Sequence, residues 1–151
     1  EVLRSLAAKS RDHARTPVQW DDGPHAGFTT GIPWLPANPN YREINAEAAR
    51  RDPGSVFAHF RALIRLRHED AVVREGRFEL LLPEHEQIWA FTRTLGDSSL
   101  LVLANCSSAS AELPLVALPS LDGAELVLAT HDDHSTSELA PWESRVLRLA
   151  H

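Results

Sequence analysis

The stretch Gln87-Ile88-Trp89-Ala90-Phe91-Thr92-Arg93-Thr94-Leu95-Gly96-Asp97-Ser98-Ser99-Leu100-Leu101-Val102-Leu103-Ala104-Asn105 decides the fold class of this 151-residue chain. Two short apolar-rich runs, Gln87–Thr94 and Leu100–Asn105, flank the turn signal Gly96-Asp97-Ser98, which is the pattern of paired strands. Working outward, Arg77–Leu82, Ala124–Thr130 and Ser144–Leu149 read as further strands, with a shorter one near Ala111–Leu115. Pro83-Glu84-His85-Glu86 and Asp122-Gly123 mark the intervening turns. Short strands at this spacing predict a small antiparallel sandwich or barrel over residues 77–151.

Upstream the period changes. Asp52 suits a helix N-cap and Pro53 the first helical position. Val56, Phe60, Leu63, Ile64 and Arg67 follow at helical spacing, with Arg61 and Arg65 opposite, and the helix should end near His68–Asp70. Its apolar face needs a partner, which must be the β-rich half or polypeptide outside this sequence. Residues 10–52 read instead as one long irregular segment. Pro17, Pro24, Pro33, Pro36 and Pro39 fall within 23 residues, with Gly23, Gly27 and Gly31 between them. Such proline density forbids a regular helix or central strand. Loops this long are uncommon in compact domains and are usually functional. This one also carries Trp20, Phe28, Trp34 and Tyr41. Residues 1–9 suit a helical turn or two.

The net charge of −6 argues against non-specific nucleic-acid binding, which draws on Lys and Arg. It is distributed unevenly: residues 1–77 hold 12 basic and 10 acidic side chains, residues 78–151 hold 3 and 11. The boundary near residue 75 coincides with the change of period. No apolar run reaches the roughly 18 residues that a membrane helix needs. A single cysteine, Cys106, excludes an internal disulfide and a multi-Cys metal site. At the end of a strand it reads as a small buried hydrophobe. The chain opens at Glu1 and contains no Met, so we expect either a processed protein or a portion of a longer one.

Chemistry concentrates in Ser10-Arg11-Asp12-His13-Ala14-Arg15-Thr16-Pro17-Val18-Gln19-Trp20-Asp21-Asp22. Two Arg, three Asp, a His, a Gln and a Trp share thirteen positions. A guanidinium fork can span adjacent hydroxyls while a carboxylate orients it, and an aromatic ring can pack against the C–H face of a sugar. The same Arg–Asp density also serves simply to staple a long loop to its neighbours. A self-contained hydrolytic pair is not expected here. Glycosidases place two carboxyls roughly 5–9.5 Å apart across the scissile bond, whereas Asp21 and Asp22 are adjacent and diverge. His131-Asp132-Asp133-His134 has metal-ligand composition but no distant third ligand, and reads as a solvated turn. Asn105-Cys106-Ser107 matches a glycosylation pattern short enough to arise by chance. No Ser/His/Asp arrangement or phosphate-binding Gly loop stands out, and no cofactor or metal site is expected.

Ser10–Asp22 resembles the Ser-Arg-Asp-Asn-Ala-Arg-Thr-Pro-Met-Gln-Trp-Asp signature of bacterial α-glucosidases, in the oligo-1,6-glucosidase and trehalose-6-phosphate hydrolase branch of the α-amylase superfamily. His13 stands for the usual Asn, and Val18 for the usual Met. Ala26-Gly27-Phe28-Thr29-Thr30-Gly31, Pro33-Trp34-Leu35, Asn38-Pro39-Asn40-Tyr41 and Glu43-Ile44-Asn45 continue the match. So do Asp52-Pro53, Ser55-Val56-Phe57, Leu63-Ile64, Leu66-Arg67 and Ile88-Trp89-Ala90-Phe91-Thr92-Arg93. The resemblance spans nearly the whole chain in order and weakens after about residue 105. Sucrose isomerases share much of this segment.

The resemblance implies a mixed architecture. Residues 1–76 would be the C-terminal remnant of a (β/α)₈ catalytic barrel, with an active-site loop over 10–52 and the last barrel helix over 53–68. Residues 77–151 would form a C-terminal all-β antiparallel sandwich. The family's catalytic Asp, Glu and second Asp belong to motifs that do not occur in this sequence, so no catalytic residue is assigned and the chain alone is expected to be inactive. Arg15 matches an Arg that holds hydroxyls of the non-reducing-end glucose. Arg11 and Asp12 would brace the loop, with Trp20 as a wall or support. The implied partners are an oligosaccharide substrate and the absent N-terminal barrel, with neither nucleic acid nor membrane, and relatives are mostly cytoplasmic. Two alternatives stay open: a non-catalytic β-sandwich module that binds carbohydrate or stabilises a partner, and a parent enzyme that is a transglucosidase or sucrose isomerase.

Overall fold

The computed structural model describes residues 11–132, 135 and 137–150, with only the backbone of Arg11 and His13. The helical turn expected for residues 1–9 lies outside the described residues. The chain divides into two compact units, one running to Phe60 and the other from Arg61 onward.

In the first unit, 3-10 turns at Arg11–Ala14, Pro24–Gly27 and Pro39–Arg42 punctuate the proline-rich segment. The segment is not irregular throughout, because a short helix, α1, spans Ala46–Arg51. Six residues are too few to hold a helix by propensity, so the cause is hydrogen bonding at its start. Asn45 accepts the Ala48 N–H at 2.8 Å and donates to the Tyr41 carbonyl at 2.9 Å. The first-turn amides of Ala46 and Glu47 donate to the Gln19 and Trp20 carbonyls at 2.8 and 2.9 Å.

Helix α2 spans Val56–Glu69 and begins three residues later than the Asp52-Pro53 signal suggests. Ser55 is the effective cap, its Oγ accepting the Ala58 N–H at 3.1 Å. Asp52 instead ends α1 and accepts the Gly54 N–H at 2.8 Å, closing a turn around Pro53. No residue of α2 is buried. Val56 and Phe60 are 87% and 62% exposed, so the apolar stripe read from the sequence stands open.

In the second unit, which begins at Arg61 within α2, the next helix is α3, Ala71–Glu75, capped by Asp70, which accepts the Val72 N–H at 2.8 Å. Arg148 pairs with the other Asp70 oxygen and ties the cap to the last strand. Among the described residues, seven strands follow: β1 Arg77–Leu80, β2 Ile88–Leu95, β3 Ser98–Asn105, β4 Ala111–Glu112, β5 Glu125–Ala129, β6 Glu138–Leu139 and β7 Ser144–Arg148. They form a five-stranded antiparallel sheet in the order β1-β2-β3-β7-β5, and β4 pairs with β6 in a second, two-stranded sheet. Ile88 lies opposite Asn105 and Phe91 opposite Val102.

Because strand side chains alternate between faces, the large sheet has two distinct surfaces. One buries Ile88, Ala90, Leu101 and Leu103 against Ala111, Leu113, Leu118 and Leu139. Each large aliphatic side chain here contributes about 1.5–3 kcal/mol by leaving water. The opposite surface carries Trp89, Phe91 and Arg93 on β2. Its aromatic rings sit 5.1 Å apart in the Trp89–Phe91 and Phe78–Phe91 pairs, yet Trp89 and Phe78 remain half exposed.

Asn105 is buried, and its amide donates to the carbonyls of Ala109, Leu139 and Ala140 at 2.7–3.3 Å. The Asn-Cys-Ser pattern, read from the sequence as a chance match, presents no accessible amide. One sequence reading is corrected: Cys106 is exposed, not a buried hydrophobe. The period-2 alternation explains both, since an inward Asn105 sends its neighbour outward.

Gly76 joins α3 to β1 in close contact with both. A Cβ there would overlap the Val72 carbonyl and come within 3.1 Å of the Thr94 nitrogen, both backbone atoms that cannot swing aside. Gly76→Ala is therefore expected to destabilise the second unit by about 1–3 kcal/mol, the usual cost of overpacking. Chemical denaturation followed by far-UV circular dichroism checks this, and an unchanged midpoint would show that the junction can relax.

Candidate functional site: the loop from Arg11 to Phe28

The chemistry-rich segment begins in a 3-10 turn that closes with the Arg15 N–H donating to the Asp12 carbonyl at 3.0 Å. Asp12 and Arg15 are both exposed, whereas Pro17 is buried and anchors the chain between them and Gln19. Among the described residues, no side chain pairs with the Arg15 guanidinium. The Arg11 side chain lies outside the described residues, so its expected bracing role is untouched here. The structure thus brings Asp12 and Arg15 into one turn and carries Trp20 away on the following extended segment.

That segment is clamped. Gln19 Nε2 donates to Asn40 Oδ1 at 3.0 Å and to the Ile44 carbonyl, while the Gln19 and Trp20 carbonyls cap α1. The Trp20 ring is 53% exposed and borders a cavity of about 530 Å³, which Ala46, Glu47, Arg50 and Arg51 also line. Arg51 pairs with Glu47 one turn away, a surface pair contributing at most about 0.5 kcal/mol.

On the other side of Trp20 the backbone takes an unusual course. His25, Ala26 and Gly27 all have positive φ, at 54°, 58° and 65°. Only glycine adopts this region readily, and each non-glycine residue costs roughly 1–2 kcal/mol. The surroundings hold the turn. Ala26 is wholly buried, its carbonyl accepts the Trp20 and Asp21 N–H groups at 2.9 and 3.3 Å, and its N–H donates to the Gly23 carbonyl at 3.0 Å. Asp21 Oδ1 accepts the Gly23 N–H at 2.8 Å. A Cβ on Gly27 would strike the Asp21 carboxylate. Sequence reasoning set Asp21 aside as a hydrolytic acid and otherwise counted it only within the general Arg–Asp density that can staple the loop. The signal for its bracing role was the Gly23 and Gly27 pair enclosing it.

Elsewhere, no group of three His, Cys, Asp or Glu among the described residues could hold a metal ion. Asp133 and His134 of the His131–His134 cluster lie outside the described residues. No helix among the described residues is long and apolar enough to cross a membrane.

With this geometry in view, comparison with known proteins gives three kinds of match. The family described as "Alpha amylase, catalytic domain" matches residues 1–76. The oligo-1,6-glucosidase of Parageobacillus thermoglucosidasius is 41% identical over 157 aligned residues, covering 99% of this chain and 27% of that protein. Among solved structures, the Bacillus licheniformis trehalose-6-phosphate hydrolase superposes with a TM-score of 0.84 at 38% identity, over 97% of this chain and 27% of its own. The trehalulose synthase MutB of Pseudomonas mesoacidophila MX-45 gives a TM-score of 0.76 at 37% identity, with the same coverage. The chain thus spans about a quarter of the length of the proteins it matches.

Proposed function

The chain belongs to the α-amylase family, and we propose that it forms the C-terminal portion of a retaining α-glucosidase acting at the non-reducing end of oligosaccharides, in the cytoplasm. The catalytic-domain match over residues 1–76 carries this reading, since it falls on the loop holding Asp12, Arg15 and Trp20. In this proposal residues 1–76 complete a (β/α)₈ barrel, with 10–52 as its active-site loop and 53–68 as its last helix. Residues 77–151 form a C-terminal β-sandwich, whose two layers are the five-stranded sheet and the β4–β6 pair. The open stripe of Val56, Phe60 and Ile64 then meets the rest of the barrel.

The reaction uses carboxylates supplied by that remaining polypeptide, through a covalent glucosyl-enzyme that water resolves. Within this chain, Arg15 grips sugar hydroxyls with its planar fork of donors, while Arg11 and Asp12 brace the loop and Trp20 serves as a wall or support. The similarity to MutB favours a second reading, in which the parent isomerises sucrose by holding the displaced sugar for re-addition instead of admitting water.

The test is direct. The purified 151-residue chain should release no nitrophenol from nitrophenyl α-glucoside, and the longer protein carrying this sequence should release it readily. Reproducible turnover by the short chain would overturn the assignment of the catalytic groups elsewhere. Sugar products from sucrose separate hydrolase from isomerase.

A further inference from the structure

We propose that Asp21 is a positioning residue: its carboxylate is the post around which the left-handed turn His25–Gly27 is wound, and through that turn it sets Trp20 as a wall of the sugar site. The inference rests on the α-glucosidase reading for what the wall faces, but not for how the wall is held.

Consecutive left-handed residues that include His25 and Ala26 persist only where surrounding contacts over-determine them. Three contacts do so here, and all return to residues 20–23. The Ala26 carbonyl takes the N–H groups of Trp20 and Asp21, and the Ala26 N–H reaches back to Gly23. The Gly23 N–H is in turn fixed by Asp21 Oδ1. Gly27 leaves the space that the same carboxylate fills. The chain therefore circles Asp21 and closes on Trp20 from behind. From the front, the Trp20 carbonyl is held by the Glu47 N–H at the start of α1. A residue clamped on both sides, with its ring half exposed beside an open cavity, has the form of a rigid binding surface and not of a linker. The Asp21 carboxylate thus holds one backbone donor, the Gly23 N–H, and fills the space beside Gly27.

The conservative and disruptive variants differ sharply. Asp21→Asn keeps an oxygen acceptor for the Gly23 N–H and nearly the same volume. Asp21→Ala removes both, and Gly27→Ala drives the carboxylate out of its seat. In the intact 151-residue chain, carbon chemical shifts of His25 and Ala26 should report left-handed backbone in the wild type and in Asp21→Asn. Those signatures should vanish in Asp21→Ala and Gly27→Ala. Retention of them in Asp21→Ala would overturn the proposal without touching the enzyme assignment.

In the complete enzyme, Asp21→Ala should raise KM for nitrophenyl α-glucoside about tenfold, with kcat per titrated active site within about threefold of wild type. Asp21→Asn should restore KM. A purely structural role would lower the fraction of active enzyme and leave KM in place, and that result also overturns the proposal. If the wild-type longer protein cleaves no glucoside at all, the enzyme reading fails, and the backbone measurement alone decides the role of Asp21.

Discussion

In urea, Glu143→Ala should unfold the second unit at a far lower midpoint than wild type, with a loss of about 3–5 kcal/mol, the cost of orphaning one member of a buried ion pair. Glu143 is 1% exposed and Arg145 5%. One Glu143 oxygen accepts from Arg145 Nε at 2.6 Å and the other from the Ala140 N–H at 2.7 Å. The remaining Arg145 nitrogens donate to the carbonyls of Ser135 and Glu138, the latter at 2.8 Å. The pair therefore does more than neutralise itself. It connects β7, the turn before it and the short strand β6, a region too short to be held by ladder hydrogen bonds alone. Removing the carboxylate leaves a guanidinium in low dielectric with one donor unmet, and the Ala140 amide loses its acceptor. A milder loss is expected for Glu143→Gln, which keeps an acceptor but discards the charge. If Glu143→Ala unfolds within about 1 kcal/mol of wild type, water must reach Arg145 and the connection is weaker than its geometry implies. Replacing both members by apolar residues of similar size tests the same point from the other side, because matched hydrophobic pairs often recover such losses.

This knot shows where sequence reading stops. The strands β1, β2, β3, β5 and β7 were legible because each is a local apolar run bounded by turn residues, and an eight-residue strand such as β2 carries its own signal. β6 is two residues long and exists because Arg145 and β4 hold it, so no local pattern marks it. The same logic separates α2 from α1. Val56 to Arg67 spell out a helical period, whereas Ala46–Arg51 is a helix because residues 19 and 20, far back in the chain, supply its first acceptors. The tripeptide Glu143-Ser144-Arg145, read as sequence, is an ordinary strand entrance. Only the fold turns both charges inward.

The candidate site follows a similar division. Composition alone drew attention to Ser10–Asp22, because charged and aromatic residues rarely crowd a proline-rich loop without purpose. Which of them faces a ligand was not legible from composition. Arg15 and Asp12 share a turn by a single backbone bond, and Trp20 and Asp21 have roles set by a left-handed turn several residues later. Positive φ at Gly27 is easy to suspect, but at His25 and Ala26 nothing in the side chains foretells it. Contacts impose it.

For the longer protein carrying this sequence, Arg15→Ala should lower kcat/KM on a nitrophenyl α-glucoside at least a hundredfold, equivalent to about 2.7 kcal/mol of transition-state stabilisation. The expectation follows from what a guanidinium offers to a sugar: several donors in one plane, permanently charged, able to bond two neighbouring hydroxyls together. Arg15 is exposed in a turn whose closing bond is its own backbone N–H, so its side chain is not needed to build the loop. That separates it from Asp21, whose carboxylate is engaged by backbone. The thermal midpoint of Arg15→Ala should accordingly stay close to wild type while activity falls. Arg15→Lys keeps the charge but loses the fork, and should recover only a small part of the rate, because one ammonium cannot bridge two hydroxyls with the same geometry. Near-normal kinetics for Arg15→Ala would remove it from the sugar site and shift attention to the side chain of Arg11, the other guanidinium of the same turn.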